Sequence, residues 1–304
     1  MMYWAHLVAM ALIRGLPAWV VDPLVLALAP RAARLWDRQW QATRANAQVL
    51  LGPGVTPRQV ERCLERTFRN YARYLLELVR LPGTAPEMLE RGFEVRGWEH
   101  LRAARARGRG VVLLTLHMGN WDAAGALLAG RGVPVTVLVD RLQPLRWDAL
   151  VQRTRRELGM QTLPVDANPR AMLQVLRQNQ VLGVLLDRPL SEGGCVVSWC
   201  GRPTRLPDGG VRLALLADAA VVAAAITREQ ERYVVQISPP LEPRRRGSRR
   251  ERAAEVMGQA LAWLEPWVRA HPDQWFMFRP FWPVAPALDE RRCEHARVVS
   301  APRG

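Results

Sequence analysis

Apolar positions follow two different periods along this chain. Over residues 56–81 they recur at helical spacing, with Val60, Leu64, Phe68, Leu75 and Leu78 on one stripe. Thr56 can cap the start, Pro57 takes the first helical position and Gln59 completes a capping box, so one long helix is predicted there, ending before Pro82-Gly83. Beyond it, short runs rich in β-branched and aliphatic residues at 111–116, 135–139, 181–186 and 220–226 read as buried strands separated by helical stretches. That alternation predicts an α/β fold: a central, mostly parallel or mixed sheet flanked by helices.

The first 30 residues are apolar but interrupted. Arg14, Pro17, Asp22 and Pro23 split them into runs at 7–13, 15–21 and 24–29, all short of a membrane-spanning helix. A central Arg or Asp would cost about 2.5–3.5 kcal/mol on insertion scales. Trp4, Leu7, Val8, Ala11 and Leu12 share one helical stripe, and Trp4, Trp19, Trp36 and Trp40 accompany Arg31, Arg34, Arg38 and Arg44. This mixture suits an amphipathic segment lying at a headgroup boundary; packing of the stripes on the protein body is the other reading. A basic region followed by an uninterrupted apolar core is missing, so the N-terminus is expected to be retained.

Composition narrows the classes further. The 304 residues are 49% hydrophobic and 23% charged, which excludes disorder and favours one folded domain with a large core. The net charge of +15 comes entirely from arginine, since the chain has no lysine. Codon bias accounts for that on one reading; on the other, the guanidinium groups serve a phosphate-bearing partner. The arginine run at 244–252 reads as a solvated loop and helix start able to touch anionic lipid. Cys63, Cys195, Cys200 and Cys293 form no C-x-x-C pair and have no histidine at zinc-ligand spacing, so a reducing compartment and no metal are expected.

The most specific chemistry lies in Val111-Val112-Leu113-Leu114-Thr115-Leu116-His117-Met118-Gly119-Asn120-Trp121-Asp122. A buried strand delivers His117 at its C-terminal end. On one continuous helix His117 and Asp122 would stand about 140° apart, whereas a strand–turn–helix unit brings them together. Gly119 permits the turn, Asn120 can cap the helix, and Asp122 falls in its first turn. The expectation is that Asp122 holds one imidazole nitrogen and leaves the other as a base of pKa near about 6.5, suited to taking a proton from a hydroxyl.

This H-x-x-x-x-D unit after an apolar strand resembles the catalytic motif of glycerolipid-type acyltransferases. The stretch Trp199-Cys200-Gly201-Arg202-Pro203-Thr204-Arg205-Leu206-Pro207-Asp208-Gly209-Gly210 and onward to Ala214 resembles the F-F-G-x-P-x-x-x-P-x-G-x-x-x-L-A block of the lipid A biosynthesis (lauroyl/myristoyl) acyltransferase family, with Trp and Cys in place of the Phe pair. Asp187-Arg188-Pro189-Leu190 is similar to a D-R-D-L run in the phosphatidylinositol mannoside acyltransferase branch, and His271-Pro272-Asp273-Gln274-Trp275 to the family's closing H-P-E-x-W. The F-P-E-G-T/S block of phosphatidic-acid-forming acyltransferases is absent.

The resemblance implies His117 as general base and Asp122 as its orienter. It further implies a substrate cleft touched by Asp140, Arg155, Asp187, Arg188, Glu192, Arg202 and Arg205, with Arg155, Arg188 and Arg202 as phosphate contacts. The implied reaction moves a fatty acyl chain from acyl-CoA or acyl carrier protein to a hydroxyl of a membrane glycolipid, phosphatidylinositol mannoside-like or lipid A precursor-like. No cofactor beyond that donor substrate is expected. The organisation expected is a membrane-associating segment at 1–50, an acyltransferase catalytic domain at 51–285 and a flexible tail at 286–304, on the cytoplasmic face of the cell membrane and its anionic surface. A catalytically inactive, lipid-binding relative of the same fold is the alternative. Nucleic acid is not an expected partner, because no zinc, helix-turn-helix or aromatic RNA-binding signature accompanies the charge.

Overall fold

The computed structural model describes residues 10, 12–141, 145–188, 193–244 and 246–282. Three helices lead the chain: α1 (Ala18–Ala33), α2 (Asp37–Leu51) and the long α3 (Pro57–Arg80). The capping box at Thr56 and Gln59 is present in both directions, and α3 buries Val60, Leu64, Phe68, Tyr74 and Leu78 along one side. Then follow α4 (Pro86–Arg91), β1 (Phe93–Arg96), α5 (Trp98–Ala106), β2 (Val111–Thr115), α6 (Trp121–Gly130), β3 (Val135–Val139), α7 (Leu145–Glu157), β4 (Gln161–Pro164), α8 (Pro169–Arg177) and β5 (Val181–Leu185). The remainder comprises β6 (Cys195–Trp199), β7 (Arg202–Leu206), α9 (Gly209–Ala217), β8 (Ala220–Glu229), β9 (Arg232–Ile237), α10 (Arg249–Ala270) and a 3-10 turn, Pro272–Gln274.

Seven strands form one sheet in the order β1-β9-β8-β2-β5-β3-β4. All neighbours are parallel except β8 and β9, so β9 and β1 run against the other five. The expected mixed α/β fold with a mostly parallel sheet is what forms. The four predicted strands are β2, β3, β5 and β8, the ones with continuous apolar runs. Burial on both faces explains those runs, because a parallel strand between two helical layers has no solvent face to alternate towards. In β2, Val112 and Leu114 enter the apolar layer under α8, α9 and α10, while Val111 and Leu113 enter the layer under α5 and α6. β1, β4 and β9 carry charged or polar residues and are not evident from the pattern.

The antiparallel pair β6–β7 stands apart from the main sheet and packs on α10. Its two-residue connection, Cys200-Gly201, has positive φ at both positions (52° and 74°), the geometry a tight hairpin requires. Cys63, Cys195 and Cys200 are free and buried, and burial pushes their thiols up to about 12, which leaves them inert at neutral pH.

The N-terminal helices are tied to α3 by charge. Arg80 donates to Asp22, Arg34 bridges Glu61 and Glu65, and Arg44 reaches Glu61. Arg34 and Arg44, grouped from the sequence with a headgroup boundary, therefore spend their charge within the protein. Trp40, grouped with the same boundary, is instead buried and stacked on Phe68, whereas Trp19, Leu24, Leu28, Leu35 and Trp36 are exposed. Among the described residues no helix is long and apolar enough to cross a membrane. Trp4, Leu7, Val8 and Ala11 of the predicted stripe, and the 286–304 tail, lie outside the described residues.

Candidate active site

The predicted strand–turn–helix unit forms. β2 stops at Thr115, whose hydroxyl donates to the Ala224 carbonyl, and His117 follows two residues later at the C-terminal edge of the sheet. Gly119 sits at φ 63°, and a Cβ there would meet the Ile226 carbonyl oxygen at 2.3 Å, so glycine is required for two reasons. Asn120 caps α6, its Oδ1 accepting from the Ala123 N–H at 2.9 Å, while its amide donates to Glu77 of α3 at 2.7 Å.

Asp122 occupies the first turn of α6 as expected, but it does not hold the histidine. The ring Nδ1 of His117 bonds Asp187 Oδ1 at 2.7 Å. Strand register explains the exchange of partners. β2 and β5 are parallel neighbours with Thr115 opposite Leu185, so His117 and Asp187, each two residues further on, emerge side by side at the same sheet edge. Asp122 starts a helix that turns its carboxylate towards α3 and α7 instead.

Asp187 is fully buried and has three donors: the His117 ring, the His117 backbone N–H at 2.9 Å and the Trp275 indole N–H at 2.7 Å. Burial alone would raise its pKa; the neighbouring His117 charge and these hydrogen bonds outweigh it and hold the carboxyl below its ordinary value. With Asp187 ionised, Nδ1 carries the ring proton and Nε2 is left as an acceptor. Asp187, expected at the substrate cleft, lies behind the imidazole, bonded from within the protein and off the lining of the large cavity.

Asp122 has its own set of donors. Arg155 of α7 reaches it through Nε at 2.7 Å and Nη2 at 3.3 Å, and the Tyr74 hydroxyl of α3 donates at 2.8 Å. Burial, reinforced by the Asp122 charge, pushes the Tyr74 phenol well above its usual value. Burial would pull Arg155 down, but the Asp122 charge and hydrogen bonds prevail and keep it firmly cationic. Arg155, expected to contact phosphate, is thus largely committed to Asp122. Three elements meet at this carboxylate, and Trp121 stacks on Tyr74 at 4.3 Å while making a T-shaped contact with the His117 ring at 5.1 Å.

A cavity of about 840 Å³ opens in front of His117. Trp121, Asp140, Arg155, Arg188 and Phe276 share its wall with the histidine. Asp140, just past β3, is exposed at this wall. Leu75, Leu78, Val151, Leu213 and Leu216 supply an apolar side. Trp121, Leu138, Val139, Arg155 and Leu185 also line a narrow apolar cavity of about 70 Å³ that continues between the sheet and α6. Arg202 and Arg205 stand on β7 and do not line the large cavity, and Glu192 lies outside the described residues. Among the described residues no group of three or more His, Cys, Asp or Glu is placed to hold a metal ion. Sequence reasoning missed Tyr74 and Glu77, which sit on α3 with nothing in the local spacing to mark them, and it gave Trp275 no role although it quoted its motif.

The family model for bacterial lipid A biosynthesis acyltransferase matches residues 1–283. Phosphatidylinositol mannoside acyltransferase of Mycobacterium tuberculosis is 31% identical over 301 residues, covering 96% of this chain and 91% of the relative. The protein of the same name from Mycolicibacterium smegmatis is 30% identical, covering 92% and 91%. Lipid A biosynthesis acyltransferase of Haemophilus influenzae is 23% identical, covering 77% and 73%. On the match along nearly its whole described length and on these relatives, the chain belongs to the bacterial lipid A biosynthesis acyltransferase family and is an O-acyltransferase.

Proposed function

We propose that this acyltransferase moves a fatty acyl chain from a phosphopantetheine thioester, acyl-CoA or acyl carrier protein, to a hydroxyl of a membrane glycolipid of the phosphatidylinositol mannoside type. The observation that carries the reading is a histidine on the wall of a large, mainly apolar cavity, its Nδ1 fixed by a buried carboxylate. The glycolipid class rests on the two mycobacterial relatives at 30–31% identity.

In this mechanism Nε2 of His117 takes the proton of the acceptor hydroxyl as the oxygen attacks the thioester carbonyl. The new C–O bond forms, the C–S bond breaks, and the departing thiolate recovers the proton from the imidazolium. Asp187 keeps the ring in the required tautomer and stabilises the cation formed in between. Asp122 serves the cavity's shape by pinning Tyr74 and Arg155. Asp140 is placed to meet a sugar hydroxyl, Arg188 a phosphate, and the apolar side together with the narrow cavity an acyl chain. The exposed Trp19, Leu24, Leu28, Leu35 and Trp36 suit the cytoplasmic face of a membrane, where such a lipid acceptor resides.

The test is transfer of labelled palmitate from palmitoyl-CoA, and from palmitoyl acyl carrier protein, to a panel of membrane lipids by purified protein beside His117→Ala. Label in a glycolipid band with the wild type, reduced about 10²- to 10⁴-fold in the variant, is the expected result. Turnover undiminished in His117→Ala would overturn the assignment.

A further inference from the structure

The cluster of residues that closes over the back of the histidine comes from the far end of the described chain. After the 3-10 turn, residues 274–276 run alongside the loop carrying His117. Met118 and Trp275 form an isolated antiparallel bridge, the Gly119 N–H donates to the Gln274 carbonyl at 3.0 Å, and the Phe276 N–H donates to the His117 carbonyl at 2.8 Å. Gln274 is itself clamped, accepting from the Arg228 N–H at 2.6 Å and donating to the Arg228 carbonyl at 2.8 Å. The segment is therefore hydrogen-bonded to the histidine loop on one side and to β8 on the other.

Trp275 is buried, and its indole sits among Trp199, Phe281 and Trp282 with ring centroids 5.0 to 5.8 Å away. Packing alone does not account for its orientation. Of its buried tryptophan neighbours, Trp199 leaves its indole nitrogen unpartnered and Trp282 donates to Thr204, whereas Trp275 aims its N–H at Asp187 Oδ2 at 2.7 Å. Asp187 Oδ1 is taken by the imidazole, and Oδ2 accepts from both the Trp275 indole and the His117 backbone N–H at 2.9 Å, so these two donors together fix the rotation of the carboxylate and hence the bond to His117.

We infer that Trp275 is a positioning residue of the reaction, setting the Asp187 carboxylate so that His117 keeps its proton on Nδ1 and its basicity in the working range. This rests on the reading of His117 as general base. Trp121 makes a T-shaped contact with the ring, and the titratable and charged groups around the same cavity are Tyr71, Tyr74, Asp140, Arg155, Asp166, Arg188, Asp208, Arg212 and Arg249. A carboxylate that loses one of three donors concentrates its charge on the remaining partners and favours the imidazolium, so removing the indole N–H raises the pH at which His117 becomes a free base.

The experiment replaces Trp275 by Phe and, through site-specific incorporation, by benzothienylalanine, which keeps the ring shape and exchanges N–H for sulfur. Steady-state rates against pH are measured for the wild type, both variants and His117→Ala. The expected result is a kcat about two- to threefold lower at neutral pH in both variants, KM within about twofold, and the acid limb of kcat/KM moved upward by about half a pH unit. Full activity and an unmoved limb in the benzothienylalanine protein would overturn the inference, since only packing would then matter, and this holds even where Trp275→Phe fails to fold. If His117→Ala retains turnover, the general-base reading fails instead, so the two failures are told apart.

Discussion

Two buried carboxylates flank the same histidine loop, and they are used in opposite ways. Asp187 follows a strand and meets a histidine, a backbone N–H and an indole; Asp122 opens a helix and meets an arginine and a phenol. The first set of donors includes an imidazole, a side chain able to take up and return a proton during a reaction. The second contains none, since burial and the shared carboxylate lift Tyr74 and the carboxylate keeps Arg155 cationic. Asp187 is therefore placed for proton chemistry, and Asp122 for holding α3, α6 and α7 together around the cavity. The carboxylate five residues from the histidine bonds an arginine and a phenol, and the carboxylate seventy residues away is the one that bonds the histidine.

The largest effect should come from Asp187→Asn. An amide opposite Nδ1 removes the charge that stabilises the imidazolium and can favour the wrong tautomer, so turnover is expected to fall about 10³-fold or more with KM little changed. Kinetics on folded protein, verified by circular dichroism, check this. If Asp122→Asn instead costs turnover more than Asp187→Asn does, the division of labour between the two carboxylates is reversed.

Asp122→Ala should act on stability first. It strands the Arg155 guanidinium in a buried site without its partner, a change that typically costs about 3–5 kcal/mol. Chemical denaturation should show that loss, while turnover per folded molecule falls less than in Asp187→Asn. Tyr74→Phe is the milder version: it deletes one hydrogen bond to a charged group, worth about 1.5–3 kcal/mol, and leaves the Arg155–Asp122 pair in place. A Tyr74→Phe protein as destabilised as Asp122→Ala would mean that the phenol, not the guanidinium, anchors the carboxylate.

The same comparison shows where sequence reasoning stops. The central strands, the long α3, the Asn120 cap and the glycine turn all follow from patterns within a dozen residues, and all form where the pattern places them. His117 was legible for the same reason: a polar titratable group ends an otherwise apolar strand. Its partner was not, because the Thr115–Leu185 register is a property of two strands brought together by the sheet. Asp187 and Trp275 were both inside motifs quoted from the sequence, yet neither motif reveals that their side chains meet at 2.7 Å. Tyr74 and Glu77 left no trace at all, since a polar residue on a long amphipathic helix looks solvated until a neighbouring element covers it.

The smallest effect, and the one that separates the carboxylates most cleanly, is in acid. Asp187 titrates in the folded protein below the ordinary aspartate value of about 3.9. A carboxyl whose folded pKa is depressed contributes stability that is complete above the unfolded value and is lost as pH falls through the folded one. The wild type should therefore surrender this contribution only below about pH 4, whereas Asp187→Asn has none to lose. Melting temperatures of the two proteins, measured from about pH 5, where the imidazole is already protonated in both, down to about pH 3, should differ by a constant amount to about pH 4 and then converge. The expected convergence is a few degrees, given about 2–4 °C per kcal/mol for chains of 150–250 residues. Curves that stay parallel throughout would mean that Asp187 is not held in its ionised form by His117 and Trp275, which would remove the charge on which its assignment as the histidine's orienter depends.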